Sequence, residues 1–328
     1  MPEAPAAPGR VFWSWVLPSA LAVLLLYFAV RGVEWGRVWD LIARASWIWL
    51  LAVIGSTSFS SLLRSLRWRV LLNARAYFDI PTVFWANMAG YLGNNFLPAR
   101  AGELVRTFII SSRSSLTRTY VLTTALAERM MDAIALVLWS GIVLMGVHPK
   151  PAWLDQVSRT LAAAAAAGLL IVIALPHVKN LCDAVIRRLP LSEKLLPIAE
   201  QILLGLQTFH DLRRLAAFVA YTVLIWSVDA YTVVLGGRAL DIEVSYAMAA
   251  LLICGMGLGS ALPSTPGYVG IYQFVAVSVL TPFGMTKDAA LALILILQAL
   301  GYVVITMFGV PGLYRFKGWR TALAKEST

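Results

Sequence analysis

Charge is scarce in this sequence, and so are the residue types on which most enzymes and metal proteins rely. Charged residues make up 13% of the 328 positions against 59% hydrophobic, with a mean hydropathy of +0.76. Soluble domains carry about 25% charged residues, so a water-exposed globule is excluded and lipid is the expected solvent. The two cysteines, Cys182 and Cys254, stand far apart without metal-ligand spacing, and His148, His177 and His210 form no cluster. Neither a disulfide nor a metal nor any cofactor is expected. No Ser-His-Asp, Cys-His or nucleotide-binding constellation is present, which gives little support to an enzyme acting alone.

The charge that remains is mostly positive, with 27 Lys and Arg against 17 Asp and Glu, a formal net charge of +10. These cations gather at the ends of apolar runs rather than along one face, a pattern of membrane topology and not of nucleic-acid binding. The expected class is an all-α polytopic membrane protein, one integral domain over 1–328. Apolar runs of about 20 residues predict six spans, at 11–30, 47–66, 119–147, 161–178, 215–236 and 288–310. The first has Glu3 upstream and no Ala-x-Ala site after it, so it is expected to stay as a span and not be cleaved as a signal.

Two further apolar regions, 82–98 and 246–280, are interrupted by Gly and Pro and read as re-entrant helical hairpins. Segments 34–45 and 195–209 have apolar residues at helical spacing and suit amphipathic helices in the headgroup layer. Arg64, Arg67, Arg69 and Arg75 follow the second span, and Arg106, Arg113 and Arg118 precede the third. Lys179, Arg187, Arg188 and Lys194 follow the fourth, and Arg315, Lys317 and Arg320 lie near the chain end. All four clusters fall on one side if both interrupted segments are re-entrant, which predicts a cell (inner) membrane protein with both termini cytoplasmic.

An internal repeat emerges when Pro98 is set over Pro263. Leu97, Pro98 and Gly102 then coincide with Leu262, Pro263 and Gly267, and Gly90 falls on Gly255. The halves, about 47–147 and 215–312, each place this motif before a long span. With one hairpin entering from each side, this is an inverted repeat with broken helices, the arrangement by which transporters build a midplane site. Chance coincidence of Leu-Pro and Gly in an apolar chain is the alternative.

Broken helices survive in hydrocarbon only where protein or water satisfies the freed backbone groups. Asn94 and Asn95 at the first break, and Ser260, Ser264 and Thr265 at the second, therefore either cap half-helices or also line a polar cavity. The stretch "TTALAERMMDAIAL" puts Glu128, Arg129 and Asp132 inside a span, where an ionised group costs several kcal/mol unless paired or wet. Glu128 and Asp132 share a face, Arg129 reaches Asp132 at i,i+3, and Arg100 and Arg106 are the available further cations. The set either fastens the hairpin to the helix as a buried network, or serves an anionic headgroup gripped by the arginines while the acids change partners. Asp229 is the other intramembrane acid. Tyr268 and Tyr272 either line the outer half of the site or anchor at the interface.

At "GNNFLPARAGELVR" (93–106), "AERMMDAIAL" (127–136) and "LPSTPGYVGIYQF" (262–274) the sequence resembles the lysylphosphatidylglycerol synthase transmembrane, or flippase-like, family, with all three motifs in the family's order. In the multiple peptide resistance factors of that family, this membrane domain is implicated in flipping lysyl-phosphatidylglycerol and precedes an aminoacyl-transferring domain. The resemblance implies that Asn94, Arg100, Glu103, Arg106, Glu128, Arg129 and Asp132 belong to the transport core. With the sequence ending at Thr328 and no soluble domain, no aminoacylated lipid is expected to be made, and other members are associated with hopanoids and polyprenyl-linked sugars, which leaves the lipid open. The expected function is a lipid flippase with a membrane lipid as substrate. Its alternatives are an accessory subunit or enzyme presenting lipid to a separate lipid-synthesising enzyme, and a small-solute or ion transporter. The small-residue run 162–168 offers a face for a homodimer or for packing within one subunit.

Overall fold

The computed structural model describes residues 8–97, 101–146, 211–260 and 266–316, with a few scattered positions between 156 and 167. The expected span 161–178, the amphipathic segment 195–209, and Pro98, Arg100, Pro263, Ser264 and Thr265 lie wholly or largely outside the described residues. All regular structure among the described residues is helical. In chain order it comprises α1 (Pro8–Val30), α2 (Trp35–Ala43), α3 (Trp47–Leu72), α4 (Ile80–Phe96), α5 (Gly102–Ser111) and α6 (Arg118–Gly146). After the undescribed stretch come α7 (Leu212–Ala239), α8 (Tyr246–Gly259), α9 (Ile271–Leu280) and α10 (Lys287–Arg315).

Helix starts follow local chemistry. Asp79, Asp211, Ser245 and Thr286 sit at the N-caps of α4, α7, α8 and α10, and each side chain accepts a first-turn N–H, at 3.3, 2.9, 3.2 and 3.3 Å. Three of the helices, α3, α7 and α10, are long and apolar enough to cross a membrane by themselves. The expected span 119–147 is the 29-residue α6, set apart by its ionised residues, while 11–30 is α1, whose end bends by 86° into α2. α2 is the amphipathic helix expected at 34–45. It buries Val38 and exposes Trp35 and Trp39, the pattern of a helix lying at a membrane interface.

α3 and α7 run antiparallel along their length. The Ser46 N–H donates to the Ala239 carbonyl at 2.8 Å near one end, the Ser56 and Thr232 hydroxyls meet at 2.7 Å, and Arg67 reaches Thr222 at 3.1 Å further along. α10 runs antiparallel to α4, with Gly309 against Met88 and Leu92, and Gly312 against Trp85 and Ala89. One end of the bundle therefore gathers the C-termini of α3 and α10 with the N-termini of α4, α6 and α7. Arginines crowd there: Arg113 lies over Phe316 at 4.7 Å, Arg118 over Phe108 at 4.4 Å and Arg75 over Tyr120 at 5.1 Å. At the other end the Glu34 N–H donates to Asp288 at 2.9 Å, and Arg238 lies over Trp49 at 5.1 Å.

The region 82–98, expected to be a hairpin by itself, is instead the single helix α4, and its returning limb is α5 at Gly102–Ser111, whereas 246–280 holds both limbs, α8 and α9. α4 and α5 open at the arginine-rich end, and α8 and α9 at the opposite one, so their tips approach each other inside the bundle. The first hairpin closes on Gly102, where a Cβ would be driven into the Gly90 carbonyl and Asn94. The aligned glycines Gly90 and Gly255 hold equivalent places, each on the first helix of its hairpin and facing the second. Gly102 and Gly267 do not. Gly102 is the first helical residue of α5, whereas Gly267 takes a left-handed φ of 73° in the turn at 266–268 before α9.

Two arginines change role relative to the sequence reading. α3 continues to Leu72 rather than stopping at 66, so Arg64 and Arg67 belong to the helix and point into the bundle instead of lying in a loop. Arg106 is equally internal, and both it and Arg67 are only 1% exposed. Among the described residues, Arg75 and Arg113 remain in the loops at this end, and Arg118 opens α6.

Candidate functional site

Six ionised side chains from α3, α5 and α6 close into one ring of alternating sign. Arg67 binds Asp132 bidentately, at 2.5 and 2.9 Å, and Glu128 at 2.9 Å. Glu128 turns its second oxygen to Arg106 at 3.1 Å. Arg106 holds Glu103 at 2.5 Å, Glu103 holds Arg129 at 2.8 Å, and Arg129 returns to Asp132 at 4.0 Å. Three guanidinium groups meet three carboxylates, so the ring is neutral as a whole and each acid bridges two arginines. That balance lets so much charge sit away from water, because breaking one member leaves an uncompensated ion in a low-dielectric interior.

Neutral groups complete the ring. Arg106 donates to Asn87 Oδ1 at 2.9 Å, and Asn87 in turn donates to Ser65 at 3.2 Å and to Tyr91 at 3.3 Å. Asn94 donates to Glu103 at 3.4 Å from the tip of the first hairpin. The flat guanidinium faces rest on aromatic rings, Arg106 on Trp68 at 4.5 Å and Arg67 on Phe218 at 5.0 Å. α5 is thus tied to α3, α4 and α6 by charge as well as by apolar packing.

A second, smaller pair lies along α3 and α7. Arg64 binds Asp229, and the Ser60 hydroxyl donates to the same carboxylate at 2.5 Å. Asp229 also lines a cavity of about 270 Å³ between the hairpin tips, together with Asn95, Tyr268, Tyr272, Gln298 and Tyr302. The wall facing the second hairpin is firmly built. The Gly267 carbonyl accepts from Gln298 at 2.6 Å and from Tyr302 at 2.8 Å, and Gln273, after donating to Gln298 at 2.7 Å, accepts from the Gly270 N–H at 2.7 Å.

The residues singled out in the sequence divide into two groups. Asn94, Glu103, Arg106, Glu128, Arg129 and Asp132 come together in the ring, while Asn95, Asp229, Tyr268 and Tyr272 line the cavity. Arg100, Ser264 and Thr265 lie outside the described residues. The expected partner of Asp132, Arg129 one turn away, is the more distant one at 4.0 Å, and Arg67 from α3 is the close one. Sequence reasoning missed Arg64, Arg67, Asn87 and Gln298 as members. The signal for the arginines was there: Ser60, Arg64 and Arg67 recur at helical spacing, and "WRVLL" keeps the apolar run going beyond them.

A bundle that is all helical among the described residues, with three helices long and apolar enough to cross a membrane, defines a multi-pass membrane protein. Residues 15–309 match the model of the lysylphosphatidylglycerol synthase TM region, and the chain belongs to that family. It is also similar to a protein of Haloferax volcanii named glycosyltransferase AglD, 24% identical over 304 residues. That match takes in 81% of this chain and 48% of the other, so the chain spans about half the length of the curated relative it matches.

Proposed function

We propose that this protein is a flippase-like transporter that moves a headgroup-bearing lipid between leaflets, with the cavity between the hairpin tips receiving the headgroup. The single observation that carries this reading is the cavity itself, bounded by tips of hairpins that open toward opposite ends of the bundle. Under this reading both hairpins are re-entrant and form an inverted repeat, so that rocking one against the other opens the cavity alternately to each side. An open apolar groove of about 440 Å³ runs beside the first hairpin between Phe59, Phe84, Trp85 and Phe308. It supports a lipid over a small solute, because acyl chains can remain at the protein's flank while the headgroup enters. The protein would sit in the cell (inner) membrane with both ends cytoplasmic and would not itself perform chemistry.

Purified protein in liposomes carrying fluorescent short-chain lipids tests this. Dithionite-accessible signal should rise faster than in protein-free liposomes for at least one lipid class, and unchanged rates across all classes would sink the proposal. A second reading is favoured by the relative named as a glycosyltransferase. In it the chain presents a lipid to a separate lipid-synthesising enzyme, and an Asp132→Asn variant would bind lipid normally yet give no product with that enzyme.

A further inference from the structure

We infer that the apolar cavity between α6 and α7 binds a neutral, membrane-soluble carbonyl compound of the isoprenoid-quinone type. The site is distinct from the cavity between the hairpin tips and independent of the transport reading. About 290 Å³ of space lies between Met131, Leu138 and Ile142 of α6 and Phe218, Val219 and Val223 of α7. No charged side chain lines it among the described residues, and the Thr222 hydroxyl there is spent, since it donates to the Phe218 carbonyl at 2.8 Å and accepts from Arg67 at 3.1 Å. An ion or a polar headgroup finds nothing to hold it.

What the wall does offer is two indoles. Trp139 and Trp226 both line the cavity and pack in one cluster with Leu136 and Cys254. Trp226 is 7% exposed, and among the described residues neither Nε1–H finds an acceptor. A buried indole N–H usually has a partner, and one left bare forfeits the hydrogen bond that water had supplied. Because an indole only donates, the missing partner is an acceptor oxygen on an apolar body. An alcohol would bring a proton that nothing in the wall accepts, and a hydrocarbon would bring no acceptor, which leaves a carbonyl.

Depth separates the two kinds of membrane carbonyl. Trp226 stands midway along the 28-residue α7, about 20 Å from either end at 1.5 Å per residue. The hydrocarbon layer is about 30 Å thick, so the ester carbonyls of bilayer lipids lie about 15 Å away at its edges. A quinone carries its carbonyls on a ring apolar enough to enter the interior. The volume is close to the roughly 300 Å³ at which small-molecule sites begin, which fits one ring and the start of its tail. The site also touches the charges described above, because the Trp226 ring carries Arg64 at 5.4 Å and the Phe218 ring carries Arg67 at 5.0 Å.

The test is native mass spectrometry of the full chain in phosphatidylcholine nanodiscs with equimolar decylubiquinone, methyl oleate and dodecylbenzene. These probes bring ring carbonyls, an acyl ester and no acceptor, respectively. Decylubiquinone should be retained about tenfold or more over dodecylbenzene, the gain expected from two hydrogen bonds, and methyl oleate should resemble dodecylbenzene. Trp139→Phe and Trp226→Phe keep a ring but lose the N–H, and each should cut decylubiquinone retention about threefold or more. Val219→Trp fills the cavity from a position that is 46% exposed and should abolish retention. The unfolding temperature of each variant should stay near that of the wild type, and a variant that unfolds leaves the other two to decide. Equal retention of decylubiquinone and dodecylbenzene, a preference for methyl oleate, or retention unchanged in both phenylalanine variants would overturn the inference.

Discussion

The Glu128 carboxylate is shared between two arginines of different helices, Arg67 of α3 at 2.9 Å and Arg106 of α5 at 3.1 Å. All three side chains are at most 2% exposed, so this one acid joins the first hairpin to the bundle through groups that water cannot screen. The ring built around it fixes geometry because its members are mutually dependent. Each arginine has a planar fork that suits two carboxylate oxygens at once, and no single pair can relax without leaving a neighbour bare.

Arg67→Met should accordingly be among the most damaging single changes, since it strands both Glu128 and Asp132. A loss of about 3–5 kcal/mol is expected, seen as a large fall in the thermal unfolding temperature of purified protein in detergent. Arg67→Lys keeps the charge but not the fork and should fall between. An unfolding temperature for Arg67→Met within a degree of the wild type would mean that the ring is not a structural tie.

Much of this arrangement was legible in the sequence. The helix breakers at 246–280 announced a hairpin, those at 82–98 announced a chain reversal whose returning limb lies beyond it at 102–111, and "AERMMD" announced buried charge, because both are too costly in lipid to be accidental. The partner of that charge was not legible, for a physical reason. Arg64 and Arg67 close the apolar stretch of α3, and an arginine at the end of such a run reads the same whether it faces a headgroup or a carboxylate three helices away. Only the antiparallel packing of α3 on α7, and the approach of α6 and α5, decide between the two. The hydrogen bonds that Gln298 and Tyr302 give to the Gly267 carbonyl were hidden similarly, since neutral side chains leave no charge signal in a hydropathy trace.

Glycine substitution separates close approach from backbone preference. Gly102→Ala must push its Cβ into backbone and side-chain atoms of α4, with the hairpin unable to give way, and should cost over 2 kcal/mol by forced overpacking. Gly55 also lies within a helix but meets nothing within 4 Å. Gly55→Ala should therefore be neutral or stabilising by about 0.5–1 kcal/mol. Equal unfolding temperatures for the two variants would contradict the hairpin contact.

Sidedness follows from which end each hairpin opens on. Arg113 and Glu243 are both exposed and lie at opposite ends of the bundle. In intact cells an impermeant maleimide should label Glu243→Cys directly, and Arg113→Cys only after permeabilisation. The background variant should carry serine in place of Cys182 and Cys254. The reverse pattern would invert the proposed topology, and labelling of both from outside would rule out opposite ends.

Under the transport reading proposed above, Glu103 is the acid of the ring best placed to act. Its side chain is 18% exposed where those of Arg106 and Glu128 are 1% and 2%, and it links the hairpin tip, through Asn94 at 3.4 Å, to Arg129 on α6 at 2.8 Å. Glu103→Gln keeps the shape and some hydrogen bonding but removes the charge that Arg106 and Arg129 share. The partly exposed site lets water compensate, so the fall in unfolding temperature should be smaller than for Arg67→Met. Lipid exchange in liposomes should nevertheless drop at least tenfold under that reading, because two arginines of one sign would then face each other across the joint on which the hairpin would have to move. Exchange falling only in step with the folded fraction would instead make Glu103 a fastening and nothing more.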